Sequence, residues 1–421
     1  MTRRQELDNG LVVVARPNRA ARSIAARLVF EAGAAFDPPG KAGTSSLVAR
    51  LLDRGGGGLS AEAIAEGFER LGVSYVARAQ GDTLDVEVRL LAEHLPEVLR
   101  RLRPVVAEPA FPEEEVRREV GQTLSALAER EQDTGAVAED ALAAALFPPG
   151  HPYREPAVGT RASVPRIGAA DLAAFHRERV GPSGSILALA GDIDPDRAIA
   201  LAADHFGDWT TGRGATGRAT IPDPPMPERE VTLVRRVEGK TQADLVLGML
   251  PGLRRNSPDL PAALVLNNAL GEFSMGGRLG AAIRDREGLA YYVYSTFEAG
   301  LGAGPLAVRA GVAPDAVRRA LDLIRRTLEA VRRRGLKPSE IRDSKQSLAA
   351  SVPRRLETNP GAARTLADCE FYGLGLDYPE RLPSLIRAVE RDQVAAAAHR
   401  YLTLGRHALV VAGPALKEAL R

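Results

Sequence analysis

The segment that decides the fold lies between Thr211 and Glu230 and reads TGRGATGRATIPDPPMPERE. Glycine, proline and threonine dominate it, and apolar residues do not recur at helical or strand spacing. This composition is typical of a linker between folded domains. We therefore predict an N-terminal domain over residues 1–210, a linker over 211–230 and a C-terminal domain over 231–421.

The two sides of this linker repeat one order of predicted elements. Each side has a strand pair, two helices, a second strand pair, two long helices, and further helices before one buried strand. The opening pair ends with Ile24–Phe30 on one side and Ala243–Met249 on the other. The closing strand is Ile186–Ala190 or Ala408–Ala412. The repeat predicts a duplicated α+β unit, in which helices pack on a mostly antiparallel sheet.

Local residues support the predicted helix starts. Proline lacks an N–H group and suits the first helical turn, and it stands at five predicted starts: Pro112, Pro258, Pro314, Pro338 and Pro360. Ser257 and Asn359 precede two of these prolines and are predicted to act as N-caps.

Composition narrows the class of protein. The chain has 421 residues and a net charge of +2, so no global charge favours nucleic acid or a membrane surface. A single cysteine, Cys369, fits a reducing compartment. No apolar signal-peptide region follows Met1, and no run of about 18 apolar residues exists to span a membrane. We expect a cytoplasmic protein.

The chain contains no self-contained catalytic motif. Its six histidines show neither HExxH nor HxxEH spacing. The run Gly55–Gly58 lacks the Lys-Ser/Thr of a phosphate-binding loop. His151, in the sequence FPPGHPY, is either a ligand or base, or part of a turn packed on the neighbouring helix; the turn is favoured.

The whole layout resembles the insulinase, pitrilysin and mitochondrial-processing-peptidase family of zinc peptidases. The stretch LDNGLVVVARPNRAARSIAARLVFEAGAAFDPPGKAGTSSLVARLLDRG, which begins at Leu7, is similar to the family's first strand pair and first helix. The resemblance is closer to the short bacterial members of the family, which work as two subunits. The resemblance implies two processing-peptidase-like halves that together form one half of a clamshell.

The family's metal site is degenerate in this chain. Active members carry His-x-x-Glu-His on the first helix, where residues one turn apart can hold one zinc ion beside a general base. The matching positions hold Ser46, Ala49 and Arg50, and the distal ligand position holds Ala126. Glu119 matches a supporting acid of the family. The resemblance therefore implies no metal in this chain. Active members also have Asn-Ala on the strand that receives substrate, where this chain has Val76 and Ala77.

The second half retains another family signature, GGRLGAAIRDREGLAY, from Gly276 to Tyr291. In the family, an arginine and a tyrosine at this spacing donate hydrogen bonds to the substrate and to the oxyanion. The resemblance implies this role for Arg284 and Tyr291, acting in trans on substrate bound to a partner. Preorganised donors of this kind stabilise the transition state.

A glycine-rich segment before this signature lies where non-catalytic subunits of processing peptidases have a substrate loop. The resemblance implies substrate contacts for Phe273, Gly276, Gly277 and Arg278. The same segment also fits an ordinary turn between helices. Likewise, an arginine at a helix end complements the helix dipole, and tyrosine suits any strand.

Two functions remain open from the sequence. In the first, the chain is the non-catalytic subunit of a heterodimeric zinc peptidase, its homologous HxxEH partner holds the zinc, and a peptide is the substrate. In the second, it is a proteolytically inactive structural or peptide-binding homologue of the same fold.

Overall fold

Two compact units make up the protein. The computed structural model describes residues 1–212, 214, 217–271 and 277–414. The first unit comprises Met1–Leu127, Glu155–Ala219 and Pro353–Tyr378. The second unit comprises Ala128–Arg154, Thr220–Val352 and Pro379–Arg421. The predicted domain boundaries, which follow the order of the chain, stay a prediction. Each of the two units also includes one segment from the other half of the sequence.

Each unit has one sheet. The strands of the first are β1 (Arg3–Glu6), β2 (Val12–Pro17), β3 (Ser23–Phe30), β4 (Ser74–Ala79), β5 (Leu84–Leu91) and β6 (Ile186–Gly191). Those of the second are β7 (Val231–Arg236), β8 (Ala243–Leu253), β9 (Ala290–Phe297), β10 (Gly304–Val312) and β11 (His407–Gly413).

The helices are numbered along the chain. They are α1 (Thr44–Leu51), α2 (Ala61–Glu69), α3 (Leu95–Ala107), α4 (Glu113–Arg130), α5 (Thr134–Leu146), α6 (Ala169–Arg179), α7 (Pro195–Phe206), α8 (Leu260–Leu270), α9 (Gly277–Leu279), α10 (Val317–Arg334), α11 (Pro338–Leu356), α12 (Asn359–Phe371), α13 (Tyr378–Ala388) and α14 (Arg391–Tyr401). A π-helical segment, Gly280–Asp285, follows α9 directly.

The two sheets share a topology. Their strand orders are β1-β2-β6-β3-β5-β4 and β7-β11-β8-β10-β9. In each sheet one pair is parallel, β2 with β6 and β7 with β11, and all other pairs are antiparallel. Apart from the extra edge strand β1, the second sheet repeats the first. The predicted duplication of a mostly antiparallel α+β unit is confirmed.

Alternation along β3 shows how the sequence builds these layers. Ile24, Leu28 and Phe30 enter the main core of the first unit, with the helices on that face. Ala25 points to the opposite face, where it packs with Ala362 of α12. Successive strand residues face opposite sides of a sheet, so one strand supports both layers.

Each sheet is covered on its second face by a helix from the other half of the sequence. Helix α12 packs on β3 and β6, and α5 packs on β8 and β11. Beneath α5, a Cβ on Gly248 would lie within 2.9 Å of Leu142 and 2.8 Å of Leu146. Glycine at 248 therefore permits the close approach of α5 to β8.

Three local predictions need correction. The N-cap of α12 is Thr358, whose side chain accepts a hydrogen bond from the Gly361 N–H, so Asn359 is the first helical residue. The N-cap of α8 is Asp259 rather than Ser257. The predicted helix Arg278–Arg286 is instead the short α9 followed by the π-helical segment.

Candidate functional site

Helix α1 carries the positions that match the family's metal ligands. The Asp37 carboxylate accepts hydrogen bonds from the Gly43 N–H at 2.6 Å and the Ser45 N–H at 2.7 Å, and so caps the helix start. Burial nevertheless raises the pKa of Asp37 to about 6. Ala49 is buried on the face of α1 that packs on the sheet. Ser46 and Arg50, four residues apart, lie on one face, as the motif requires.

Arg50 is held by the acid that the family resemblance singled out. Its guanidinium donates to Glu119 Oε1 at 3.0 Å, across 69 residues of sequence. The Glu119 side chain is largely buried, whereas 46% of the Arg50 side chain is exposed. Ala126, two turns further along α4, is exposed. The predicted slot thus contains a cation paired with a carboxylate, together with small side chains.

This arrangement does not suit a zinc ion. Ala49 and Ala126 offer no donor atom, and Arg50 brings a positive charge that repels one. Within residues 1–212, 214, 217–271 and 277–414, no group of three or more His, Cys, Asp or Glu side chains is placed to hold a metal.

The predicted Arg284 lies near the end of the π-helical segment. Its carbonyl accepts a hydrogen bond from the Gly288 N–H at 3.0 Å. Gly288 adopts a φ of +66°, which favours glycine and turns the chain from this segment into β9. The Arg284 guanidinium donates to Asp285 Oδ1 at 2.9 Å and is mostly shielded from solvent. Single π-helical turns occur frequently at functional sites.

Tyr291 stands on β9, the edge strand of the second sheet, and 87% of it is exposed. Opposite it, the pairing register shifts between Gly311 and Val312, so Tyr291 occupies a bulge. Ala290, directly before it, and Val293, two residues after it, belong to the core of the second unit. A tyrosine ring is normally at least partly buried. The packing of the second unit therefore does not explain why a tyrosine stands at position 291.

The adjacent tyrosine, Tyr292, has a structural role. Its hydroxyl donates to the buried carboxylate of Asp244, which also accepts from Thr134 on α5. Burial and the Asp244 carboxylate raise the pKa of Tyr292. In a regular strand, side chains alternate between the two faces of the sheet, which would place Tyr291 and Tyr292 on opposite faces. The bulge interrupts this alternation between Ala290 and Tyr292.

The predicted substrate segment is only partly described. Phe273 and Gly276 lie outside the described residues. Gly277 has a φ of +78°. Arg278 donates to both carboxylate oxygens of Glu340, at 2.6 and 2.7 Å, and so ties α9 to α11. Gly277 and Arg278 line a cavity of about 1020 Å³ in the second unit. The contact with Glu340 gives Arg278 a structural role, and its role in binding substrate stays a prediction.

Two other sequence interpretations can be placed. The His151 Nε2–H group donates to Pro222 O at 3.0 Å, and the ring stacks on Phe147 with ring centres 4.6 Å apart, which is the favoured turn. Val76 lies on β4, the edge strand of the first sheet, and is exposed.

The sequence reasoning missed two features. One is the pairing of Arg50 with Glu119, and no local signal could have shown it across 69 residues. The other is the cluster of Asp244, Tyr292 and Thr134 beneath α5, which depends on the helix exchange between the halves.

Comparison with known proteins places the fold in one family. The family model described as Insulinase (Peptidase family M16) matches residues 12–157, and that described as Peptidase M16 inactive domain matches residues 166–348. Together with the duplicated sheets, these matches show that the chain belongs to the insulinase-like peptidase family M16, with an inactive-type domain in its second half.

Relatives span almost the whole chain. An uncharacterized zinc protease of Mycobacterium leprae is 29% identical over 418 residues, which cover 98% of this chain and 91% of that protein. The zinc protease YmxG of Bacillus subtilis, also uncharacterized, is 26% identical, with 85% of each chain covered. A protein of Helicobacter pylori named non-peptidase homolog YmxG is 24% identical over 87% of this chain and 83% of its own.

Solved structures agree with the fold. The crystal structure of a peptidase M16 inactive domain from Pseudomonas fluorescens superposes with a TM-score of 0.91 at 28% identity, over 98% of both chains. A protease from Helicobacter pylori has a TM-score of 0.90 at 18% identity, covering 98% of this chain and 100% of that one, and shows the fold alone. In the part of the chain that the structure describes, none of the helices has the length and apolar character to cross a membrane.

Proposed function

We propose that this chain is the metal-less subunit of a heterodimeric zinc peptidase and supplies Arg284 and Tyr291 in trans to a partner of the same family. The partner would carry the HxxEH motif. Zinc held there would activate the attacking water. The observation that carries the proposal is the contrast between Tyr291, exposed without a folding role, and the slot on α1, which is filled by the Arg50–Glu119 pair.

The residues of this chain would act on the substrate carbonyl. The Tyr291 O–H would donate to the oxygen as negative charge develops on it, and the Arg284 guanidinium would hold the adjacent backbone by its permanently charged donors. Such donors contribute most when they are placed before the reaction begins. The exposed edges at β4 and β9 support binding of an extended peptide as an added strand.

Location is part of the same proposal. The lone cysteine, Cys369, is buried and cannot form a disulfide within the chain. This supports action in a reducing compartment, and we place the complex in the cytoplasm.

A peptidase assay tests the proposal. This chain, its HxxEH partner and their mixture are each incubated with a quenched fluorescent peptide, with and without a chelator. We expect cleavage only in the mixture, and we expect the chelator to abolish it. Cleavage by this chain alone would contradict the proposal.

Matched arginine variants sharpen the assay. Arg284→Ala should lower the activity of the mixture by roughly tenfold or more, since a charged donor to the substrate is lost. Arg286→Ala serves as the control, because the Arg286 guanidinium donates to the Ala281 carbonyl on its own segment and is exposed. Equal losses in both variants would assign the effect to the segment rather than to Arg284.

The second candidate is an inactive structural or peptide-binding homologue. The name of the Helicobacter pylori relative, a non-peptidase homolog, favours it. It predicts a stable complex or peptide binding without cleavage in any mixture. Activity of the partner alone that does not change when this chain is added would support it.

A further inference from the structure

A cavity of about 640 Å³ lies in the second unit, and neither Arg284 nor Tyr291 lines it. It is lined by the first residue of β11, the turn before it, one face of α10 and the end of the 211–230 segment. Its charged lining residues are Glu230, Arg325, Arg326, Glu329, Arg333, Arg334 and His407. With four arginines against two glutamates, the cavity lining carries a net positive charge even when the His407 ring is neutral.

His407 lines this cavity and has one ring nitrogen without a hydrogen-bond partner among the described residues. The residue is only 1% exposed. Its Nδ1 accepts a hydrogen bond from the Gly405 N–H at 3.1 Å, so the proton of the neutral ring lies on Nε2. Burial lowers the pKa of His407, which keeps the ring neutral. In the described part of the chain Nε2 has no hydrogen-bond partner, and the nearest carboxylate oxygen, of Glu230, is 3.6 Å away.

A second buried donor lines the same cavity. The Arg325 Nε group is buried and has no acceptor among the described residues, although its Nη2 pairs with Glu230. An unsatisfied buried donor costs roughly 1–3 kcal/mol. An acceptor from outside the chain that reached either donor would remove this cost.

The charged side chains that line the cavity determine which kind of ligand it favours. Glu230 is paired with Arg325, and Glu329 with Arg333, so these four charges largely cancel. Arg326 and Arg334 form no ion pair with any described residue. They lie eight residues apart on one face of α10, with Ala330 between them, and both side chains are exposed.

We propose that this cavity binds a carboxylate-bearing ligand, with its oxygens accepting from His407 Nε2–H and Arg325 Nε–H and its charge matched by Arg326 and Arg334. No aromatic side chain lines the cavity among the described residues, which disfavours a nucleotide base. The two glutamates disfavour a dense polyphosphate. The carboxylate belongs either to a small free acid or to an acidic peptide segment.

The source of the carboxylate can be distinguished by size. Arg326, Ala330 and Arg334 also line the adjoining cavity of about 1020 Å³, which adds Arg278, Arg286 and Arg391. A small acid would fill the first cavity alone. An acidic peptide would continue across the Arg326–Arg334 face into the second.

Calorimetric titration of the full chain tests the proposal. The probes are succinate, a tetraglutamate peptide and inorganic phosphate, each at two salt concentrations. We expect saturable binding of succinate or the peptide with one site per chain. Tighter binding of the peptide would assign the ligand to a polypeptide. No carboxylate binding, or tighter binding of phosphate than of both carboxylates, would overturn the proposal.

Charge variants on one helix provide the control. Arg326→Gln with Arg334→Gln should weaken binding by about tenfold or more, because both charge-assisted contacts are lost. Arg318→Gln, on the same helix and exposed but outside this lining, should leave it unchanged. Equal weakening by the control would mean non-specific attraction.

Nuclear magnetic resonance tests the role of His407 itself. The Nε2–H signal, assigned by its loss in His407→Gln, should shift on addition of the ligand that binds. Binding that leaves this signal in place would show that the ligand occupies another site.

Discussion

Helix α1 in the first half and strand β9 in the second carry the two positions where the family places its chemistry, and they use their polar groups differently. On α1, Arg50 is neutralised by Glu119. On β9, Tyr291 is almost wholly exposed in a bulge. The first arrangement is self-contained, whereas the Tyr291 hydroxyl donates to no acceptor among the residues that the structure describes. Under the proposed function, one copy of the duplicated fold acts on the substrate, while the other copy uses the matching region for a structural ion pair.

A second pair of regions shows what a purely structural use of charge looks like. Under α12, Arg364 donates to Glu87 of β5 at 2.9 Å. Under α5 the signs are reversed, and Arg309 of β10 donates to Glu139 at 2.9 Å. Both pairs join the exchanged helix to the strand next to those on which it packs. The two exchanged helices thus make the same kind of ion pair with opposite signs.

The largest expected effect comes from restoring the metal ligands on α1. The variant Ser46→His, Ala49→Glu, Arg50→His and Ala126→Glu should bind one zinc ion at micromolar concentration, about 8 kcal/mol of binding free energy. Zinc retained after dialysis, measured by mass spectrometry, reports the gain. The same variant with Arg50 kept should bind none. A folded fourfold variant without zinc would mean that the slot is wrongly assigned.

The next prediction compares the stability lost on removing Arg27, a buried structural charge, with that lost on removing Arg50, the charge in the degenerate metal slot on α1. Arg27 of β3 is buried, and its guanidinium donates to Asp85 at 3.0 Å and Asp368 at 3.1 Å. Arg27→Met should lower the free energy of unfolding by about 3–5 kcal/mol, because it leaves the fully buried Asp85 carboxylate without its main partner. Arg50→Ala should cost less than about 1 kcal/mol, since that pair is half exposed.

Denaturant unfolding followed by tryptophan fluorescence measures both changes in the first unit. The chain has a single tryptophan, Trp209, which is fully buried there. Adding Asp85→Leu to Arg27→Met should recover part of the lost stability, because the unpaired carboxylate is removed. If Arg27→Met and Arg50→Ala lowered the free energy of unfolding by similar amounts, the distinction between a buried structural charge and the charge in the slot would be wrong.

A smaller predicted effect is the pH dependence of stability that comes from one buried histidine of the first unit. His176 is buried, its Nε2 lies 2.9 Å from Val106 O, and burial lowers its pKa to about 4. The unfolded chain takes up a proton near pH 6.5 and the folded chain does not, so stability falls as the pH drops below about 6.5. We expect a loss of about 2 kcal/mol between pH 7.5 and pH 5 from this residue.

His176→Gln isolates that contribution, because the amide can still donate to Val106 O but does not titrate. Unfolding of both proteins is followed through Trp209 at the two pH values. The variant should lose less stability than the parent on acidification. Equal losses would show that His176 is protonated in the folded state or that other groups dominate.

The fold could be predicted largely because it is duplicated. The apolar strands β3 and β8 and the buried closing strands β6 and β11 recur in the same order in both halves, so each half supported the interpretation of the other. The exchange of α5 and α12 could not be predicted, since a helix of the right pattern does not show which sheet it covers. The N-caps of α8 and α12 lie one or two residues from the predicted positions, since sequence patterns define helix ends less sharply than helix interiors.

The candidate site was less predictable. Sequence spacing placed Arg50 and Ser46 on one face of α1, but the partner of Arg50 depends on how α4 packs. The pattern around Tyr291 predicted a strand, yet the bulge that exposes its ring arises from the pairing of β9 with β10. A register shift of this kind leaves no local mark in the sequence.

The most direct test of the central claim is the turnover number of the reconstituted complex with Tyr291→Phe. Loss of one hydroxyl donor to the oxyanion should lower kcat by about 100-fold or more with little change in KM. The free energy of unfolding should stay within about 0.5 kcal/mol of the parent, because the ring is exposed. Unchanged kcat in a properly assembled complex would contradict the claim that this chain acts in trans through Tyr291.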